Sequence, residues 1–182
     1  MQLNLLENGL HSLKVSLEFY ESFLFHDDEY DISVDYFGKL KFTIIALQGS
    51  IEVLSKQILS DINELLIFDM EQLGNNQKIK QLLYKQYQKK NKKANLVSFL
   101  TDSQQKINTI SYSKAVQLLY DIFKSEMTKE QLEHLKQLGV YRNVLSHFAY
   151  SNPCEWYVIL ITINKVYELF IEFYLVKFDL DD

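Results

Sequence analysis

Cysteine, proline and arginine each occur once in this 182-residue chain, as Cys154, Pro153 and Arg142. A single cysteine closes no internal disulfide and builds no cysteine-cluster metal site, which fits a reducing compartment. No nucleophile motif surrounds Cys154, so it is not expected to act as one. One proline, five glycines and no stretch rich in Pro, Gly or Ser leave nothing to serve as a linker. The expectation is one compact domain over 1–182, its core filled from 47% hydrophobic and 14% aromatic residues. Long apolar runs are missing too. Charged residues break every such stretch, as between Lys41 and Glu52 or Glu155 and Lys165, well short of the ~20 residues that span a bilayer. The start Met1-Gln2-Leu3-Asn4-Leu5-Leu6-Glu7 lacks the basic flank and cleavage pattern of a signal peptide. A soluble, cytoplasmic chain without membrane contact is expected.

Net positive charge is also lacking. At −5 the chain does not bind nucleic acid indiscriminately, because that affinity comes from many neutralised phosphates, so any RNA contact has to be local. Seven lysines between positions 78 and 93, among them Lys89, Lys90, Lys92 and Lys93, surround Tyr84 and Tyr87. Such a run reads first as a solvated helix face or loop, and second as a patch that steers RNA toward a site elsewhere. The acidic cluster Asp27-Asp28-Glu29-Tyr30-Asp31 reads as a solvated loop rather than a metal site. No metal or other cofactor is expected.

What is abundant is helical periodicity. Leu6, Leu10, Leu13, Leu17, Tyr20 and Leu24 recur at steps of three and four and predict a first helix from about Leu3 to His26. Phe37, Leu40, Ile44, Leu47, Ile51, Leu54 and Ile58 predict a second over about Val34 to Ser60. A short helix is expected over Glu64 to Leu73, stopped by Gly74-Asn75. Ser111-Tyr112-Ser113 offers caps for a helix carrying Ala115, Leu118, Leu119 and Ile122. Thr128-Lys129-Glu130-Gln131 has capping-box spacing and starts a helix with Leu132, Leu135 and Leu138. Gly139 either ends that helix or only weakens it. After the breaker Ser151-Asn152-Pro153, the residues Ile159, Ile163, Val166, Phe170 and Tyr174 mark one long helix from Trp156 to Phe178 in preference to a strand. The fold class is all-α: a single-domain helical bundle of four or five main helices.

Arg142 stands alone among 19 basic residues, so its planar, bidentate fork has a reason to be there, with a phosphate or a buried carboxylate as partner. Five residues on comes His147, the side chain that titrates nearest neutral pH and the usual choice for proton transfer. His11, His26 and His134 read as surface histidines.

The stretch Arg142-Asn143-Val144-Leu145-Ser146-His147 resembles the Arg-Asn-x-x-x-His signature of HEPN (higher eukaryotes and prokaryotes nucleotide-binding) ribonucleases. Its place, late in a helical bundle and just before a last hydrophobic helix, resembles that family as well. Gly49-Ser50-Ile51-Glu52-Val53-Leu54-Ser55-Lys56 resembles the Gly-x-Glu-hydrophobic-Lys stretch of prokaryotic members. The resemblance spans about Leu3 to Phe178 and is weakest over 61–108. It implies metal-independent RNA cleavage, in which the ribose 2′-hydroxyl attacks its own 3′-phosphate and leaves a 2′,3′-cyclic phosphate. His147 would exchange the proton, Arg142 would stabilise charge on the phosphorane, and Asn143 would bond phosphate or orient His147. Tyr141, Ser146 and Tyr150 flank the motif as supporting donors or as packing, and Glu52 supports the site or simply pairs with Lys56. In the plain alternative Arg142 pairs with Glu52, and His147 closes a helix end before Pro153.

On an ideal helix, residues five apart differ by about 140° in direction and about 7.5 Å in height, so Arg142 and His147 do not share a face. A homodimer would bring two such segments across a symmetry axis, and paired motifs are what the resemblance implies. The expected role is an RNase toxin of a toxin–antitoxin or abortive-infection (antiphage defence) system, with RNA as substrate and an antitoxin or a nucleotidyltransferase as further partner. The competing reading is a non-catalytic helical module that binds a nucleotide or a partner protein, and a third is a purely structural bundle.

Overall fold

The computed structural model describes residues 4–25, 34–69, 81, 84, 108–147 and 156–179, without the side chains of 34, 35 and 147. The architecture is all-α. Among the described residues, five long helices are defined, in chain order α1 Leu5–Leu24, α2 Val34–Ile62, α3 Tyr112–Ile122, α4 Lys129–His147 and α5 Trp156–Leu169. The last continues through a π-helical turn at Phe170–Leu175 into Val176–Phe178. The chain divides into two compact units, one of 1–58 with 112–182 and one of 59–111. No helix among the described residues is long and apolar enough to cross a membrane.

Local chemistry sets the helix starts. Asn4 caps α1: its side chain accepts the Glu7 N–H at 2.8 Å while the Glu7 carboxylate accepts the Asn4 N–H at 3.2 Å. Thr128 and Gln131 make the same reciprocal pair before α4, at 2.8 and 3.1 Å. Gly139 does not end α4, which runs on to His147.

Packing follows the predicted stripes closely in α2, α4 and α5. Leu40, Ile44, Leu47, Ile51, Leu54 and Ile58 are buried, as are Leu132, Leu135 and Leu138, and Ile159, Ile163, Val166, Phe170 and Tyr174. In α1 the buried face is rotated from the leucine stripe. Gly9, Leu13, Ser16, Tyr20 and Phe23 face inward, and Leu17 and Leu24 are exposed. The reason is close approach and hydrogen bonding. A Cβ on Gly9 would lie 2.5 Å from Leu54, and Ser50 donates to the Gly9 carbonyl at 2.8 Å. Ser16 donates to the Thr43 carbonyl at 2.9 Å, so the Tyr167 hydroxyl, 2.7 Å away, donates to Ser16. Tyr20 donates to Asn164 at 2.8 Å. Backbone contact and satisfied polar groups outcompete leucine burial on this face.

Two predictions follow from these contacts. Gly9→Ala gains about 1 kcal/mol of helix propensity but forces a methyl into Leu54, an overpacking that costs about 1–3 kcal/mol, so its melting temperature is expected to fall. Gly38→Ala, where nothing lies within 4 Å of the added carbon, is expected to raise it in the same calorimetry. The second prediction concerns alkali. Burial raises the Tyr20, Tyr112, Tyr167 and Tyr174 phenols, Tyr167 to about 12. Unfolded phenols ionise near pH 10, so the stability these groups contribute is complete below pH 10 and is lost as pH rises through the folded values. Melting temperatures taken from pH 9 to 12 should therefore drop steeply above 10, and Tyr167→Phe should soften that drop.

In the unit of 59–111, the expected short helix over Glu64 to Leu73 is only a 3₁₀ turn at Glu64–Ile67. The Asn63 side chain caps it by accepting the Leu65 N–H at 3.0 Å. Phe68 is then extended and pairs with Thr109, because Asp69 donates to the Asn108 carbonyl and Ile110 to the Ile67 carbonyl. Those bonds between distant segments replace the ones a longer helix would need; residues 70–73 lie outside the described set.

Candidate functional site

Arg142, Asn143 and His147 all lie in the last two turns of α4. Because the helix is unbroken there, the 140° divergence between positions 142 and 147 holds for the real backbone. Arg142 is half-buried and Asn143 exposed. The Arg142 Nη1 donates to the Asn143 Oδ1 at 3.1 Å, and the Arg142 Nε is covered by protein yet has no hydrogen-bond partner among the described residues. A covered, unspent donor of this kind costs about 1–3 kcal/mol.

Glu52 does not pair with Arg142. Its carboxylate accepts from Lys56 at 2.6 Å and from Gln48 at 3.1 Å, all three on α2. The i,i+4 pair read from the sequence is therefore present, and it is unusual in that Lys56 is buried. Gln48, one turn before Glu52, completes this set and was not among the sequence-predicted residues; spacing alone, four residues before a carboxylate, was its only signal. Beside it, the buried Tyr174 hydroxyl shares a 2.8 Å hydrogen bond with Ser55, which ties α5 to α2.

Tyr141 is buried and Ser146 half-buried, so neither stands freely at the surface. Tyr150, the His147 side chain and Lys89, Lys90, Lys92 and Lys93 lie outside the described residues. Among the described residues, no three His, Cys, Asp or Glu side chains gather as metal ligands.

The position of the motif against α5 can be read from contacts at the other end of the helix pair. Gln131 donates to Glu172 at 3.0 Å, and His134 lines a cleft of about 220 Å³ with Glu168 and Leu169. The two helices are thus antiparallel, which sets Arg142 roughly level with Ile161 and Ser146 roughly level with Tyr157. At that level α5 turns apolar side chains to solvent: Tyr157 is 75% exposed, Ile161 54% and Val158 50%. Farther along, the same helix exposes Asn164, Lys165 and Glu168 instead. His134 is half-buried beside Glu130 at 3.8 Å, while His11 is exposed as expected.

An exposed amide, an arginine with one committed and one unspent donor, and an apolar strip alongside can together receive an anionic ligand and a second polypeptide. No family model, no curated protein and no solved structure matches this chain.

Proposed function

We propose that the chain is a metal-independent endoribonuclease of the HEPN type that acts as a homodimer. The observation that carries this reading is the Arg142–Asn143 pair with its unspent Nε donor, at the end of the helix that also bears His147. Arg142, the sequence's one arginine, forms no ion pair with Glu52 or any other described carboxylate, which supports a phosphate as the partner of its fork. Arg142 stabilises the growing charge on phosphorus, Asn143 holds a phosphate oxygen or the imidazole, and His147 moves the proton of the 2′-hydroxyl or of the leaving 5′-oxygen. The products are a 2′,3′-cyclic phosphate and a 5′-hydroxyl.

The homodimer is supported by the diverging positions of 142 and 147 and by the exposed Tyr157, Val158 and Ile161 at their level. The proposed dimer needs a two-fold contact that brings Arg142 of one copy near His147 of the other. In a cell such an enzyme serves as the toxin of a toxin–antitoxin or abortive-infection system, in the cytoplasm and held in check by a partner protein. The test is incubation of purified protein with single-stranded RNA in EDTA: cleavage supports the reading, and intact RNA at micromolar protein contradicts it.

A further inference from the structure

Gly139 sits in the middle of α4, where glycine costs about 1 kcal/mol against alanine and offers nothing to the helix itself. What it offers is space. A Cβ at this position would lie 2.8 Å from Cε1 and 3.0 Å from Cδ1 of Tyr112. The Tyr112 ring therefore rests against the α4 backbone, and its hydroxyl donates to the Leu135 carbonyl at 2.7 Å. Leu135 and Gly139 are one turn apart, so ring and hydroxyl together span one turn of α4. Positions 142 and 143 lie three and four residues beyond Gly139, on the same side of the helix and one turn further on.

Tyr112 belongs to a neighbouring helix. As the first residue of α3 it ties that helix to α4. Burial, then the Tyr174 and Glu52 charges, push its phenol up, which keeps the hydroxyl a donor at any ordinary pH. Glu52, in turn, is fixed by Lys56 and Gln48. The turn just before the motif is in this way clamped by the ring and hydroxyl of a residue on α3.

We infer that Tyr112, seated in the notch left by Gly139, is a positioning residue that fixes the Arg142–Asn143 turn of α4. The inference rests on the ribonuclease reading for what that turn does, but not for the clamp itself. A wider side chain at 139 has no room unless the ring leaves, and a ring that leaves takes the Leu135 bond with it.

The test uses the full chain and four variants: Tyr112→Phe, Tyr112→Leu, Gly139→Ala and the double variant Tyr112→Leu/Gly139→Ala. Amide hydrogen exchange over 140–147 is expected to quicken about tenfold in Tyr112→Leu and about fivefold in Tyr112→Phe, the latter equivalent to one neutral hydrogen bond. Exchange over 115–122 should stay unchanged. Gly139→Ala should lower the melting temperature although its helix propensity favours the opposite, and removing the ring in the double variant should turn that loss into a gain relative to Tyr112→Leu. In RNA cleavage, Tyr112→Phe should lower kcat per folded molecule about fivefold and leave KM within about twofold, a split that a loss of fold alone would not give. Unchanged exchange over 140–147, or a Gly139→Ala chain that melts higher than the wild type, overturns the clamp. A wild-type chain that cuts no RNA overturns the ribonuclease reading instead, and exchange and melting still decide the clamp.

Discussion

Arg142→Lys is expected to remove most RNA cleavage while leaving the fold in place. Lysine keeps the charge, but it replaces a planar fork with one compact ammonium that cannot hold Asn143 and a phosphorane oxygen together. Loss of a positioned transition-state donor costs about 10²–10³-fold in rate. Stability should barely move, because the wild-type guanidinium carries an unspent, covered Nε donor that contributes nothing favourable to folding. His147→Ala belongs to the same prediction. Removal of a general acid–base lowers the rate about 10²–10⁴-fold, and the position is the last of α4, where alanine is compatible with the helix. The check is kcat/KM per folded molecule beside melting temperature for both variants. A variant that melts several degrees lower yet cleaves like the wild type would assign its residue to the scaffold.

Mixing the two inactive variants gives the second large effect. When Arg142→Lys and His147→Ala chains are unfolded together and refolded, half of the dimers are mixed at random pairing. If each site takes Arg142 from one copy and His147 from the other, every mixed dimer has one intact site, so about a quarter of wild-type activity returns. Sites built within one chain stay dead in every combination. Substituting Tyr157 and Ile161 by lysine should abolish this recovery together with dimerisation, since a like-charged pair replaces the apolar strip. Light scattering on the same samples separates loss of the dimer from loss of the fold.

Much of the fold was legible because helical periodicity is a property of single segments. The stripes of α2, α4 and α5 are carried mainly by aliphatic residues, and apart from the half-buried Phe37 they pack as read. In α1 the stripe placed Leu13 and Tyr20 correctly but misled at Leu17 and Leu24, because burial there also follows Gly9 and Ser16, whose places depend on Leu54 and Thr43, both distant in sequence. The turn at Glu64–Ile67 was hidden for the same reason: the partner that straightens Phe68 is Thr109.

The motif was legible through rarity and spacing, as one arginine five residues before a histidine. Its local bond, from Arg142 to Asn143, is between chain neighbours and needed no tertiary knowledge. The contribution of Tyr112 was not legible, since the sequence marks it only as a residue beside helix caps. The single sign was Gly139, a glycine inside a helix with no turn to make; such a residue asks what backbone approach it permits, and the answer lay 27 positions earlier in the chain.

The most direct measurement compares an RNA oligonucleotide with the same oligonucleotide carrying one 2′-deoxyribose at the cut position, both incubated with purified protein in EDTA and read by mass spectrometry. Cleavage by the vicinal hydroxyl predicts a 2′,3′-cyclic phosphate and a 5′-hydroxyl from the RNA, and no cut at the deoxy position. A cut at the deoxy position, a linear 3′-hydroxyl product, or no cleavage of either strand would contradict the assignment of Arg142, Asn143 and His147 to this chemistry.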